Sequence, residues 1–449
     1  MLATNLTRTS QFRSPTDADV DELRPRHLNE LKKFLNPTRR TALPIRPVGS
    51  NSATTDCNRA VAGSRLYLDA LNDIVNIDNY NHTVTARAGV RLKDLVDELA
   101  EHGLELAGCY DLNGRTIGGA VAAPCFGTTI GTDSGSISSQ VVAMKIVTPN
   151  GEFMKIDSTQ KNLLAAFRQS YGLLGVIFEV TLAVRPIRTF AVTHRRVTID
   201  KFTNVIDTLS ASPVGFRFHL QPYRDKIFLD IRRYDTTPGN SRSAPWKIKD
   251  WGESTVLPSL VRSVNKIVPI NSMKYRLIDQ IGETTQNLVN SRLVTNGTNA
   301  ACQSARGHGP SEYSSTWCFP AVDFSMVLSA YRDFCLSTMD ESGYRCDLPA
   351  VGFRLNRDAT SPLSPSFDEP MIALTTASTQ EKGWDDFVID LAEFSEKWGG
   401  VPLMAQSRAL RAEHVIQAYN QRLDFFRRLR RQLDPEDRLL NPFMAQFAQ

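Results

Sequence analysis

Long apolar runs are missing from this chain of 449 residues. No stretch reaches the roughly 20 apolar residues that cross a bilayer. The polar start, MLATNLTRTSQFRSPTDADVDELRP, lacks the apolar centre of a secretory signal. Peripheral membrane contact stays open. Cysteine is sparse and unpatterned: seven residues, an odd number, scattered from Cys57 to Cys346 without a C-x-x-C. That argues against a zinc site, any other metal site or a disulfide framework, and fits a reducing, cytoplasmic compartment. Charge of one sign is also scarce. A net +4 is too small for the dense basic footprint of nucleic-acid binding. No G-x-G-x-x-G joins an early strand to a helix, and no P-loop lysine is present, so a doubly wound nucleotide fold is excluded.

What is present reads as an α+β chain of more than one domain. Residues 43–49 form a short strand running into the polar turn Ser50–Thr55, followed by strands at 66–69 and 83–87. Leu92, Leu95, Val96 and Leu99 make one helical stripe, and Gly103 suits the left-handed residue that ends it. Pro149-Asn150-Gly151 separates two apolar strands as a hairpin turn. Val176, Phe178, Val180, Leu182 and Val184 alternate as a half-buried strand. The first boundary falls near Arg188; longer strands such as 215–220 and 226–230 follow, and the last forty residues are helical. There Arg427, Arg428, Arg430 and Arg431 lie off the apolar stripe and read as a solvated face.

Thr116-Ile117-Gly118-Gly119-Ala120 is the most informative stretch. Adjacent glycines let backbone N–H groups converge on a phosphate without Cβ collision. Alone it is an ordinary Gly/Ser loop. In order, however, come a Gly-Ser turn after a strand, Ala88-Gly89-Val90 before an amphipathic helix, T-I-G-G-A, V-x-x-x-x-I-V-T-P-N-G-E, and Gly175-Val176-Ile177. Over residues 20–186 this succession resembles the PCMH-type FAD-binding domain of the vanillyl-alcohol oxidase and p-cresol methylhydroxylase superfamily. Ser315–Pro320, Val351–Arg354 and Gly399–Pro402 look like the substrate domain of aldonolactone and alditol oxidases, and Ala405–Pro435 resembles decaprenylphosphoryl-ribose 2'-oxidases.

The resemblance implies a two-subdomain FAD-binding domain over 1–188, an α+β cap over 189–400, and a segment 401–449 that returns to the flavin. By the same resemblance Pro47, Val48, Gly49, Ser50, Asn51, Ser52 and Ala53 wrap the pyrophosphate. Thr116, Ile117, Gly118, Gly119, Ala123, Cys125, Phe126 and Gly127 form a second wall, and Val176 or Ile177 meets the adenine. Ser52 stands where many relatives carry a histidine bonded to the flavin, so the FAD is expected to be non-covalent. Gly-x-Pro-His-Trp-x-Lys of aldonolactone oxidases reads Gly400-Val401-Pro402-Leu403-Met404-Ala405-Gln406 here, and the glutamate two before Arg354 is Gly352. Arg354 and Gln406 are the candidate catalytic residues, with Leu403 and Met404 lining an apolar substrate. Arg354 equally suits an ion pair with Asp368 or Glu369. His82, His219 and His414 read as structural and Cys125 as a small packing residue. The expected reaction oxidises a hydroxyl of a sugar-, polyol- or lactone-like molecule, passing electrons to O2 or another acceptor. An NADPH-dependent C=C reductase and a weakly active flavin-binding subunit are the alternatives.

Overall fold

The computed structural model describes residues 20–110, 114–133, 135–235, 243–291, 295–302 and 312–449. The stripe predicted from Leu92 forms the helix Leu92–Glu101 with all four of its leucine and valine residues buried, and Gly103 follows at φ 71°. The hairpin at Pro149–Gly151 joins Val141–Val147 to Phe153–Asp157, with Gly151 at φ 79°. These strands belong to a five-stranded sheet in which Val176–Ala183 is central. Its predicted half-exposed alternation gives way to burial on both faces. Ile177 and Glu179 are covered too, and Glu179 is neutralised by Lys145 at 2.6 Å. A central strand has no solvent face to reserve for polar residues.

Against this sheet packs a small parallel one, in the order Asp21–Leu23, Ser64–Tyr67, Ile45–Val48. The core they share also takes Val415, Tyr419, Leu423, Phe426, Leu439, Met444 and Phe447 from the far end of the chain. The buried guanidinium of Arg46 sews the ends together, donating to the carbonyls of Leu439 at 2.5 Å, Cys57 at 2.8 Å and Tyr171 at 2.7 Å. Two of the four late arginines are drawn onto backbone rather than left in solvent: Arg427 and Arg430 donate to the carbonyls of Phe447 and Ala448, each at 2.8 Å, while Arg431 stays exposed with a contact to the Gln449 carbonyl. They clamp the last helix, Pro442–Ala448.

The middle of the chain forms an eight-stranded antiparallel sheet whose centre is Lys226–Tyr234, Gly215–Gln221, Ala350–Leu355, Met371–Ser378 and Tyr313–Pro320. Phe216, Phe218, Leu220, Ile227, Leu229, Ile372 and Leu374 face the helices Ile199–Ala211, Phe324–Ser342 and Trp384–Lys397 and make a second core. By the two-residue period, Arg217, His219, Asp230, Arg232 and Thr375 face the other way. That second face is what positions the site. Cys109 and Cys302, 193 residues apart, are joined as a disulfide with Cα atoms 6.1 Å apart, against the expectation of unpaired cysteines. Their spacing held no sign of it, because the pairing joins stretches of chain 193 residues apart. No helix among the described residues is long and apolar enough to cross a membrane.

Candidate active site

Two cavities flank one short piece of backbone. The first is a cleft between loop 49–53, the helix Ile117–Ala122, the turn at Tyr171–Gly175 and residues 405–406, with about 840 Å³ of unfilled volume, open solvent included. Pro47, Gly49, Ser50, Asn51, Ser52, Ala53, Thr116, Gly118, Gly119, Ala123, Ile177 and Gln406 line it. Val48, Ile117 and Val176 are buried and do not. Cys125 packs into the core as a small apolar residue.

Accounting for backbone donors shows which wall can hold an anion. The N–H groups of Ile117 and Gly118 already donate to Val90 at 2.8 Å and Ala88 at 2.9 Å, and that of Gly119 meets the Thr116 hydroxyl at 3.4 Å. The expected nest at the glycine pair is therefore spent on the fold. A Cβ on Gly118 would stand 2.8 Å from that of Ala88, whereas one on Gly119 would meet only the Thr116 hydroxyl, at 3.3 Å, on the cleft side. Loop 50–53 is different. No acceptor among the described residues takes the backbone N–H of Ser50, Asn51, Ser52 or Ala53, and Asn51 sits at φ 57°. Such a run of free donors in a turn with left-handed backbone is an anion cradle. Across the cleft, the Arg115 Nε is buried without a partner. Arg115 Nη1 is already given to the Pro124 carbonyl, at 3.3 Å, so the free N–H groups of the loop are what fits a pyrophosphate.

Residues 404–408 strap this loop from outside. Thr54 N–H donates to Ala405 at 2.9 Å, the Thr55 hydroxyl to Met404 at 2.7 Å, and Arg408 to Thr54 at 2.9 Å. Gln406 reaches Pro124 with its amide, at 3.4 Å. Leu403 and Met404, expected to line substrate, are buried in two apolar cores and line neither cavity.

Two residues past Pro124, Phe126 and Gly127 line the second cavity, whose unfilled volume is about 1240 Å³, open solvent included. Its other walls are the polar face of the large sheet and the helices from 246 to 290. Lys249 donates to Asp230 and to Asn290, each at 2.5 Å, and His194 meets Asp230 at 2.7 Å. Burial opposes the Asp230 charge, but Lys249, His194 and Arg232 outweigh it and hold the carboxyl well below its usual range. His219 points Nε2 at Glu253 Oε1, 3.5 Å away, and Nδ1 at Gln286, 3.4 Å away. Burial lowers His219 to about 4, so its ring is neutral at physiological pH. For Glu253 burial is again outweighed, by the cations around it, Lys249 and Arg217 among them, and the carboxyl lies below its usual range. His219 was read as structural; the alternation Phe-Arg-Phe-His-Leu-Gln over 216–221 was the signal that it faces a second, polar environment.

Arg354 departs most from expectation. Val351 and Phe353 line the cavity, so Gly352 and Arg354 face the opposite side of their strand. There Arg354 donates to the carbonyls of Ser210 at 2.9 Å and Ser212 at 2.5 Å, closing the end of the helix Ile199–Ala211. Neither Asp368 nor Glu369 pairs with it.

Residues 22–157 match the FAD binding domain family, and residues 180–447 match the D-arabinono-1,4-lactone oxidase family. The chain is 26% identical over 254 residues to L-gulonolactone oxidase of Bos taurus, which covers 54% of this chain and 57% of that protein. It is 27% identical over 257 residues to L-gulono-1,4-lactone dehydrogenase of Mycobacterium tuberculosis, covering 55% and 59%. The matched stretch thus spans less than two thirds of these relatives. In fold the chain resembles a cholesterol oxidase from B. sterolicum, with a TM-score of 0.77 at 15% identity over 95% of this chain and 94% of that one. It also resembles a xylooligosaccharide oxidase from Myceliophthora thermophila, at 0.66 and 12% over 96% and 93%. With more than half its residues matched by one family and a flavin-type cleft ahead of them, the chain belongs to the D-arabinono-1,4-lactone oxidase family.

Proposed function

We propose that the chain is an FAD-dependent oxidoreductase that oxidises a hydroxyl of a sugar-lactone-like molecule, holds its FAD without a covalent link, and passes electrons to O2 or another acceptor. When bound, FAD supplies a two-electron, hydride-accepting centre. The observation that supports this reading is that two cavities flank one short stretch of backbone, Ala122 and Ala123 lining the cleft read as the flavin's and Phe126 and Gly127 lining a polar, mixed-charge chamber. Ser52 in the anion loop has no imidazole to bond a flavin.

The relatives' lysine is Gln406 here, which cannot titrate, so the hydroxyl proton needs another acceptor. Glu253, ionised and beside neutral His219, is the group in the chamber equipped for it. Arg217, Lys249 and Gln286 supply donors for the remaining hydroxyls. The apolar part of the chamber, Trp246, Leu257, Leu348 and Phe353, suits the carbon face of a ring.

The test is anaerobic bleaching of the bound flavin by L-gulono-, L-galactono- and D-arabinono-1,4-lactone. Reduction by one of them is expected, slowed about 100- to 1000-fold in Glu253→Gln. Because the Glu253 carboxyl is held below its usual range, the rate should hold from neutrality down through the ordinary carboxylate range and fall only below it, as the base takes up its proton. Bleaching by NADPH, with no response to any lactone, would mean a reductase instead.

A further inference from the structure

The helices Leu257–Ile267 and Asn271–Ser291 form a hairpin on the cap. Leu257, Val261 and Ile278 fill the inside of the pair, with Val264, Tyr275 and Ile281 around them. That accounts for one apolar stripe on each helix. A second stripe is left outside: Leu260 and Ile267 at i and i+7, then Met273 and Leu277 at i and i+4, share outward faces. Ile270 sits in the turn between them. Ile267 is 76% exposed, Ile270 57% and Met273 54%. Isolated exposed apolar residues need no explanation, but a contiguous set at the tip of a hairpin does. Past Leu277 the outward row is broken by the polar Gln280 and Thr284 before an isolated exposed Leu288, so the contiguous apolar set lies toward the tip.

Charge identifies what covers it. Residues 254–278 contain Arg262, Lys266, Lys274 and Arg276 and no aspartate or glutamate. We infer that this hairpin tip docks on an anionic lipid bilayer, Ile267, Ile270 and Met273 entering the headgroup boundary while the flanking lysines and arginines meet lipid phosphates. Apolar tip plus basic collar is the pattern of a protein that lies on a membrane without crossing it. A second copy of the chain fits less well, because a two-fold contact would set each basic collar against its own image. The helix that ends at the tip begins at the substrate chamber. Leu257 and Pro258 line that cavity, and ten residues of helix put the two about 15 Å apart.

The experiment is flotation of the full chain with vesicles of phosphatidylcholine alone and of phosphatidylcholine mixed with phosphatidylglycerol. Binding to the mixed vesicles only, weakened by salt, is expected. Ile267→Asp with Ile270→Asp should reduce it at least about tenfold. Lys266→Gln with Lys274→Gln should reduce it about 25-fold at low salt, each basic charge near an anionic surface being worth about fivefold. Flavin absorbance and the thermal midpoint of both variants should match the parent, which separates lost docking from lost folding. No binding to the mixed vesicles, or binding unchanged in both variants, overturns the inference. So does a concentration-dependent dimer in the ultracentrifuge that the isoleucine changes abolish while vesicles are ignored.

Discussion

Two adjacent glycines do different work. Gly118 is pressed against Ala88, so a side chain there must displace the backbone at the end of the strand Thr83–Arg87. Gly119 looks into the cleft, where a side chain meets only the Thr116 hydroxyl, at 3.3 Å, before it reaches the space left for a ligand. Gly119→Val should fold with a melting temperature near the parent and carry no FAD, read as the ratio of flavin to protein absorbance. Gly118→Val should lose about 1–3 kcal/mol or more of stability through overpacking, read by denaturant unfolding whether or not flavin is present. Normal flavin loading in Gly119→Val would remove that wall from the site. Reading the pair as one motif located the cleft but not this division, because adjacent residues on a short helix point about 100° apart, and composition does not say which way.

At the scale of the element, Arg354 shows how a strand's parity decides function. Its strand offers one face to the chamber and one to a helix, and a shift of one residue exchanges them. The motif match placed Arg354 with the substrate; the register places it under the carbonyl end of the helix Ile199–Ala211, where a cation also favours the helix dipole. Arg354→Leu should therefore lower stability by about 2–3 kcal/mol while flavin reduction by substrate keeps its rate. A large fall in that rate with unchanged stability would return Arg354 to the chemistry. The strands themselves were legible, since alternation marks them plainly. The chamber was not, for its polar residues come singly from strands at 215–221 and 226–234 and from helices as far on as Gln286. Loop 50–53 was legible because its work is done by consecutive backbone groups.

For the whole molecule, the end of the chain completes the domain that the beginning starts. Arg46 donates to Leu439, Asn441 donates to Asp56 and Arg59, and Phe447 lies in the first core. Removing residues 434–449 should thus abolish FAD loading although none of them lines the cleft. Arg430→Ala, which leaves the carbonyl of Ala448 without its charged donor, should cost about 1–3 kcal/mol. Thermal melting with and without added FAD checks both. A truncated chain that binds FAD as tightly as the parent would show that the two ends are merely neighbours.

That closure also sets a clock on biosynthesis. The five-stranded sheet is complete once Ala183 has been made, yet its last packing partners, around Phe447, leave the ribosome some 264 residues later. At ordinary translation speeds the interval is roughly 10–50 s. During it, the nascent N-terminal half exposes the surface that Val415, Phe426 and Met444 later cover, and the Arg46 guanidinium lacks the Leu439 carbonyl. Flavin capture is then expected only after Phe447 and its neighbours have been made. Pulse proteolysis of chains arrested near residue 250 should find the N-terminal sheet cleavable, and protection should arrive only after the final helix has emerged.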